Sequence, residues 1–387
     1  MDARGEFSRL RGPIFVKYST IIYTQLTLGC FFRDKLSVER SKTPHRKERH
    51  PMKTKSESQK SKRAVRWVGL GLGAAAVTAA AVASHELTKF MMDMALDRQK
   101  PRGILKEDTA REIIRGTPYQ QMFLQDVEVC AERLKNSENE RVQIEASDGI
   151  ELVGHLREVP HARRIILAMH GWRSSWDQDF GMISEFWERN GCTVLYAEQR
   201  GQNDSGGDYM GFGMLERYDC LDWIHWLNER FPEHPPIYLA GVSMGATTVL
   251  MTANLNLPDN VAGIAADCGF TSPQEIWEHI TEDNLHLNFG IRRFDVNDLC
   301  RQKIQLGPME CSTTEALKNT RVPVLLVHGT DDTFVPVEMT YENYKACAGP
   351  KKLLIVPGAD HGMSYYVERD EYEKVALEFF RECEFAR

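Results

Sequence analysis

The sequence predicts an α/β fold in which a mostly parallel central sheet carries helices on both faces. Two observations support this prediction. Short, continuously apolar runs recur from residue 141 onwards, and such runs are typical of strands buried on both faces. Amphipathic helical stretches separate the runs, and a helix between consecutive strands allows them to pair in parallel. The six apolar runs are Ile165–Met169, Thr193–Ala197, Ile237–Ala240, Val261–Ala265, Val322–Val327 and Leu353–Val356.

Composition places the chain in the globular class. It has 387 residues, of which 42% are hydrophobic and 27% are charged, and its net charge is -7. This balance provides no general basic face, so nucleic acid is excluded as a partner. None of the nine cysteines forms a Cys-x-x-Cys pair or a zinc-finger spacing with histidine. The sequence therefore predicts no metal site and no cofactor, and it leaves disulfide pairing and oligomeric state open.

An apolar run near the N-terminus predicts a membrane helix. Trp67–Ala83 has one polar member, Thr78, and as a helix would span about 26 Å, close to the roughly 30 Å of a bilayer core. We therefore predict a transmembrane or signal-anchor helix at 67–84, with the basic segment 52–66 in the cytoplasm and the main domain outside the cell membrane. Ala81-Val82-Ala83 fits signal peptidase cleavage, so a secreted protein stays an alternative, as does a soluble protein with a buried helix.

The segments on either side of this helix have different patterns. A targeting signal normally starts close to its basic region, and Met52 begins that region, so we interpret residues 1–51 as a non-native or disordered leader. Residues 85–140 are predicted to form a helical extension, because apolar residues recur there at helical spacing and 107–135 has a helical pattern. The apolar stripe of this extension consists of Leu87, Phe90, Met91 and Met94.

The main domain is predicted to occupy 141–387. Val142–Ala146 and Ile150–Val159 flank Ser147-Asp148-Gly149, which is a turn signal, so the domain is expected to open with a hairpin. The interval 271–320 has no strand pattern, and we predict that it is a small helical lid inserted into the domain. The aromatic residues of the interval are Trp277, Phe289 and Phe294.

One motif carries a candidate nucleophile. The apolar run Ile237–Ala240 leads into Gly241-Val242-Ser243-Met244-Gly245, and a helix pattern follows at Thr247–Leu255. A serine on such a strand-to-helix turn has a strained backbone and an exposed hydroxyl, and its close neighbours must be small. Chance alone gives the bare Gly-x-Ser-x-Gly pattern about 0.1 times in a chain of this length. The strand before the motif and the helix after it therefore carry the prediction that Ser243 is a nucleophile.

A serine hydroxyl needs a base, and two later segments provide candidate partners. Val322–Val327 leads into a loop with Asp331 and Asp332, and Leu353–Val356 leads into a loop with His361. A histidine can take the serine proton, and an acid can orient the histidine. Because parallel strands end at one edge of the sheet, we expect these side chains to meet there.

Three motifs stand in a fixed order along 141–387: Gly-x-Ser-x-Gly, His-Gly-x-x-Asp-x-x-Val-Pro and Gly-x-x-His-Gly. In this order they resemble the α/β-hydrolase superfamily, in particular bacterial membrane-anchored or secreted serine hydrolases related to the dipeptidyl-peptidase and acyl-esterase branch. The resemblance implies the α/β-hydrolase fold and a catalytic triad of Ser243, Asp332 and His361. Asp332 matches the acid of the family motif, and Asp331 stays the alternative.

The resemblance also implies an oxyanion hole. The family takes one backbone N–H from the residue after the nucleophile, here Met244, and a second from the loop after an early strand, which we assign to Trp172. Gly171 and Arg173 stay open as alternatives for the second donor. His170, in the same loop, is interpreted as a structural histidine bonded to backbone.

The predicted function is hydrolysis of carboxylic esters by a Ser-His-Asp acyl-enzyme mechanism, on a small acyl ester substrate. A serine peptidase or amidase acting on small peptides is the main alternative, although 85–140 is too short for a propeller domain that would filter peptides. A dehalogenase would need a carboxylate at position 243. A non-enzyme alternative is a membrane-tethered binding module on a hydrolase scaffold, and the intact serine, acid and histidine set speaks against it.

Overall fold

The computed structural model describes residues 77–99 and 118–385. The predicted leader 1–51, the basic segment 52–66 and most of the predicted membrane helix 67–84 lie outside the described residues. None of the helices in the described ranges combines the length and the apolar character that a membrane crossing requires.

An eight-stranded sheet forms the centre of the structure. Its spatial order is β1-β2-β4-β3-β5-β6-β7-β8, with β1 and β2 antiparallel to their neighbours and the other six strands parallel. The predicted mostly parallel sheet is thereby confirmed, and each of the six apolar runs forms most of one strand. The strands are β1 (Glu140–Glu145), β2 (Glu151–Arg157), β3 (Arg164–Met169), β4 (Cys192–Ala197), β5 (Ile237–Val242), β6 (Val261–Asp267), β7 (Val324–Gly329) and β8 (Lys351–Val356).

Helices cover both faces of this sheet. Along β3, Ile165 and Leu167 point into one apolar cluster, whereas Ile166 and Ala168 point into the other. Because both faces are covered, every residue of β3 is buried, which explains its unbroken apolar sequence. The helices are α1 (77–96), α2 (Pro118–Lys135), α3 (Trp176–Phe180), α4 (Ser184–Arg189), α5 (Glu216–Arg230), α6 (Met244–Thr252), α7 (Pro273–His279), α8 (Arg293–Ile304), α9 (Thr313–Leu317), α10 (Val337–Ala346), α11 (Ser364–Val367) and α12 (Arg369–Phe385).

The interval 271–320 lies between β6 and β7 and holds three helices, α7 to α9, with a π-helical turn at Ile280–Asn284 after α7. It contains no strand, as the sequence predicts. Of its aromatic residues, Trp277 and Phe289 are buried in a third apolar cluster, whereas Phe294 is 81% exposed. This third cluster lies beyond the carboxyl ends of the parallel strands and also receives Met92 and Leu96 from α1.

Two features of helix α1 were not evident from the sequence pattern. It continues without a break through the predicted boundary at residue 84, since no Gly or Pro interrupts the described part. Its buried face is formed by Thr88, Met92 and Leu96, whereas Leu87 of the predicted stripe is exposed. The Thr88 hydroxyl donates to the Ser84 carbonyl, so a polar residue sits on the buried face at little cost and hides that face from a hydrophobicity pattern.

Candidate active site

Ser243 occupies a strained turn between β5 and α6. Its backbone has φ 55° and ψ −118°, a region that residues other than glycine rarely adopt. The Ser243 N–H donates to the Asp267 carbonyl at 2.9 Å, which fixes the turn to the end of β6. The side chain is consequently held at the carboxyl edge of the sheet.

The two motif glycines are required by close approaches of the backbone. A Cβ on Gly241 would lie 2.3 Å from the carbonyl atoms of Gly245. A Cβ on Gly245 would lie 1.8 Å from the Met169 carbonyl oxygen at the end of β3. Both distances are far below van der Waals contact, so the turn can form only with glycine at these positions.

His361 lies between Ser243 and Asp332. Its Nε2 atom is 2.9 Å from Ser243 Oγ, and its Nδ1 atom is 2.7 Å from Asp332 Oδ2. A neutral imidazole that donates from Nδ1 and accepts at Nε2 satisfies both contacts. The structure therefore brings together three side chains that come from three different strand ends.

Asp332, and not Asp331, contacts the imidazole. The Oδ1 atom of Asp332 accepts the backbone N–H groups of Phe334 and Val335 at 2.9 and 2.8 Å, which leaves Oδ2 for His361. Asp331 is exposed and accepts the Thr330 hydroxyl at 2.8 Å.

A second histidine contacts the same carboxylate. His328, at the end of β7, is fully buried, and its Nε2 atom lies 3.1 Å from Asp332 Oδ2 and 2.9 Å from the Val335 carbonyl. Its Nδ1 atom lies 2.6 Å from Thr340 Oγ1. If Nε2 carries the proton, Nδ1 accepts from the Thr340 hydroxyl and all of these contacts are satisfied. This role was not predicted from the sequence, although the histidine is part of the His-Gly-x-x-Asp motif.

The charged forms of Asp332 and His361 stabilise each other. Burial favours neutral Asp332, but the neighbouring His361 and His328 imidazoles outweigh it and lower the pKa of the carboxyl well below its usual range. Burial likewise favours neutral His361, but the Asp332 carboxylate outweighs it and raises the pKa of the imidazole well above its ordinary value. The site is therefore built to hold a carboxylate and to accept a proton on His361.

Cys268 is a further side chain at this point. It follows β6, is buried with φ 50°, and its sulfur lies with ligand atoms of Asp332 and His361 within 4.8 Å of one another. Among the described residues this is the one group of three that could hold a metal ion. Burial raises the pKa of the Cys268 thiol to about 11, so the thiol is neutral and a poor nucleophile. Cys268 was not predicted to belong to the site, although it directly follows β6, which ends at the same edge of the sheet.

Within the described part of the chain, two backbone N–H groups close to Ser243 in the fold have no acceptor. In the loop after β3, the Gly171 N–H donates to Asp179 Oδ2 at 2.6 Å, and the Arg173 N–H donates to Gln202 Oε1 at 2.5 Å. Among the described residues, no acceptor contacts the N–H of Trp172, which lies between them, or that of Met244. Of the three loop residues considered from the sequence, Trp172 alone therefore keeps its N–H available.

His170 has the structural role expected for it. It is fully buried, its Nδ1 atom lies 2.8 Å from the Gly171 carbonyl, and its Nε2 atom accepts the Gln199 N–H at 3.1 Å. Burial lowers the pKa of this imidazole, so it stays neutral while it holds the loop.

Apolar side chains of the third cluster, here called the apolar wall, lie beside the N–H groups of Met244 and Trp172. Met244 belongs to the third apolar cluster, and Phe212 in this cluster lies 5.1 Å from Trp277 and 6.1 Å from Trp172 between ring centroids. The rings of Phe334 and His361 lie 5.1 Å apart between centroids and are tilted by 59°. A group bound at Ser243 would therefore face aromatic and apolar side chains.

Comparison with known proteins places this geometry in context. The family model of the prolyl oligopeptidase family matches residues 178–384. An uncharacterized protein of Bacillus subtilis, YqkD, is 28% identical over 193 residues, which cover 49% of this chain and 62% of the relative, so the match spans less than two thirds of that protein. The bifunctional esterase/perhydrolase DCH of Acinetobacter calcoaceticus is 41% identical over 68 residues, which cover 18% of this chain and 24% of the relative.

Solved structures share the fold. An esterase from Pyrococcus furiosus superposes with a TM-score of 0.54 at 20% sequence identity, covering 73% of this chain and 97% of the esterase. Identity at this level shows a common fold, which is the α/β-hydrolase fold.

Proposed function

This chain belongs to the prolyl oligopeptidase family and is a serine hydrolase, and from this premise we propose that it cleaves carboxylic esters through an acyl-enzyme on Ser243. One observation carries the proposal. The side chains of Ser243, His361 and Asp332 form a continuous hydrogen-bonded chain with contacts of 2.9 and 2.7 Å. This arrangement matches the requirements for activating a serine hydroxyl.

In the first half of the reaction, His361 Nε2 takes the proton from Ser243 Oγ while Oγ attacks the acyl carbonyl. Asp332 stabilises the imidazolium that forms. The N–H groups of Met244 and Trp172 donate to the developing oxyanion, and one such donor is typically worth about 2.7–4 kcal/mol. Collapse of the intermediate breaks the ester bond, and His361 returns the proton to the leaving alcohol.

In the second half, water replaces the alcohol. His361 takes a proton from the water as its oxygen attacks the acyl-enzyme, and the same oxyanion donors stabilise the second intermediate. The carboxylic acid leaves, and Ser243 regains its proton from His361. Reaction of an ester with water thus gives one acid and one alcohol.

The apolar wall supports an acyl group of apolar character, because Phe212, Trp277 and Met244 offer few polar partners. A peptidase or amidase acting on small peptides is the second candidate, and membership of the prolyl oligopeptidase family favours it. The two candidates separate on matched substrates: p-nitrophenyl butyrate against the corresponding p-nitroanilide and short peptidyl p-nitroanilides. Turnover of the anilides with kcat/KM above that of the ester would favour the amidase.

The proposal extends to location. We propose that the apolar segment 67–84 anchors the chain in the cell membrane with the hydrolase domain outside the cytoplasm, or, alternatively, that the domain is secreted after cleavage. Support comes from the apolar sequence and from the exposure of Val77 and Val82, at 71% and 56%. Protease accessibility of the domain on intact cells, together with extraction at alkaline pH, tests the tethered and the secreted form.

The nucleophile is tested with a fluorophosphonate probe and p-nitrophenyl butyrate on the full chain. Wild-type protein should be labelled and should hydrolyse the ester, and Ser243→Ala should do neither. Ser147→Ala, in the exposed turn between β1 and β2, is the matched control and should behave like wild type. Labelling that persists in Ser243→Ala would refute the assignment.

A further inference from the structure

The C-terminal end of helix α1 packs against the loop that carries Trp172. The Trp172 indole Nε1 donates to the Ala95 carbonyl at 2.9 Å. Backbone hydrogen bonds also tie the end of α1 to the segment at 208–210. The Met210 N–H donates to the Leu96 carbonyl at 2.7 Å. The Arg98 N–H donates to the Asp208 carbonyl at 2.8 Å. The N-terminal extension is therefore bonded to the candidate oxyanion loop through defined hydrogen bonds.

The Arg173 side chain forms several hydrogen bonds with the end of α1. Its Nη2 atom donates to the carbonyls of Met94 at 2.9 Å and Asp97 at 2.6 Å, and its Nε atom lies 3.3 Å from the Met94 carbonyl. The last carbonyls of a helix have no partner within the helix and favour a cation, so the guanidinium caps α1. Arg173 therefore caps a helix that lies far from it along the sequence.

The backbone of Arg173 needs this support. Its φ is 53°, in the left-handed region, which costs a residue other than glycine about 1–2 kcal/mol. The Arg173 N–H, on the C-terminal side of Trp172, donates to Gln202. The Gly171 N–H, on the N-terminal side of Trp172, donates to Asp179. The orientation of the Trp172 N–H thus depends on a strained segment whose side chains end on α1.

We propose that Arg173 is a positioning residue that uses helix α1 to hold the Trp172 N–H in its oxyanion-binding orientation. This inference rests on the proposed function, since it assigns the Trp172 N–H to the oxyanion. It gives the N-terminal extension a catalytic consequence: the α1 carbonyls that bind Arg173 complete the support of the oxyanion hole in the domain that follows.

A second tie between α1 and the domain supplies a control. Lys303 of α8 lies 2.9 Å from Asp93 Oδ1 and 2.5 Å from Asp97 Oδ1. It anchors the same end of α1, and neither ion pair involves the loop at 171–173. Lys303→Met should remove this second tie and lower stability, while the bonds from Arg173 to the α1 carbonyls remain in place.

The experiment compares Arg173→Met, Arg173→Lys and Lys303→Met in the full chain. Thermal unfolding reports stability, kcat and KM for p-nitrophenyl butyrate report catalysis, and the inhibition constant of phenylboronic acid reports binding of a tetrahedral adduct. A small displacement of a catalytic group can lower the rate of the chemical step up to about 100-fold. Arg173→Met should therefore lower kcat about 10- to 100-fold with little change in KM. Inhibition by phenylboronic acid should weaken in parallel. Arg173→Lys should recover part of kcat, and Lys303→Met should keep kcat while it lowers the unfolding temperature.

Two results would overturn the inference. One is near-wild-type kcat in folded Arg173→Met. The other is a loss of kcat in Lys303→Met equal to that in Arg173→Met at equal loss of stability, which would reduce α1 to a stabilising element. Failure of the proposed function has a different signature, because wild-type protein would then show neither turnover nor probe labelling.

Discussion

The Nε2 atom of His328 lies 3.1 Å from Oδ2 of Asp332, and both side chains are fully buried. The same oxygen contacts His361 at 2.7 Å, so two imidazoles share one carboxylate oxygen. Since the other oxygen accepts two backbone N–H groups, every strong acceptor site of the carboxylate is in use. Asp332 is therefore held in one orientation by its surroundings.

Replacing His328 tests whether this second imidazole matters. His328→Phe removes a donor from a buried carboxylate, which costs about 1–3 kcal/mol of stability and loosens the orientation of Asp332. We expect kcat to fall about tenfold or more, with KM nearly unchanged. Thermal unfolding and steady-state kinetics measure the two effects. Thr340→Val, which removes only the outer partner of His328, should have a smaller effect on kcat, and the reverse order would contradict this role.

The two neighbouring aspartates provide a matched pair. Asp332→Asn keeps the shape of the side chain but removes the charge that stabilises imidazolium on His361, so kcat should fall about 10⁴-fold. Asp331→Asn changes an exposed carboxyl that accepts the Thr330 hydroxyl, and activity should stay near wild type. The rates of ester hydrolysis by the two variants, measured at equal protein concentration, decide which aspartate is the catalytic acid. Similar losses in both would show that the acid is misassigned.

The pH dependence of kcat/KM follows from His361. The protonated imidazole cannot accept the Ser243 proton, so activity is lost as pH falls through the pKa of His361. Because Asp332 raises that pKa, the acid limb should have its midpoint above the ordinary histidine value of about 6.5. The same shift adds folding stability that is full below the unfolded value and is lost as pH rises through the folded one. A pH–rate profile with a midpoint below that of free histidine would argue against the coupling.

The backbone contact of Gly245 predicts a structural failure. In Gly245→Ala the new Cβ would have to occupy space 1.8 Å from the Met169 carbonyl oxygen, so β3 or the turn must move. We expect a loss of more than about 3 kcal/mol in unfolding free energy, or no folded protein. Gly290→Ala is the control, because its Cβ would meet one atom at 3.4 Å. Denaturant unfolding distinguishes the two, and a stable Gly245→Ala protein would disprove the steric argument.

The strands and the nucleophile turn could be predicted because their causes are local. A strand such as β3, covered on both faces, must be apolar at each position, and that leaves an unbroken run in the sequence. The turn at Ser243 requires glycine two residues away on each side, so the motif is written in five consecutive residues. The buried face of α1 was not evident from the apolar pattern, because the bond from Thr88 to Ser84 makes a polar residue compatible with burial.

By itself, then, the sequence determined the mostly parallel sheet, the hairpin, the helical insertion and the strained serine turn, all of which follow from the residues that neighbour each other along the chain. Only the tertiary structure decided which N–H groups of the loop after β3 are bonded, through Asp179 and Gln202, and that His328 and Cys268 adjoin the acid and the base. These are contacts between residues separated by many positions, and hydrogen-bond satisfaction depends on distances in space that no local pattern encodes.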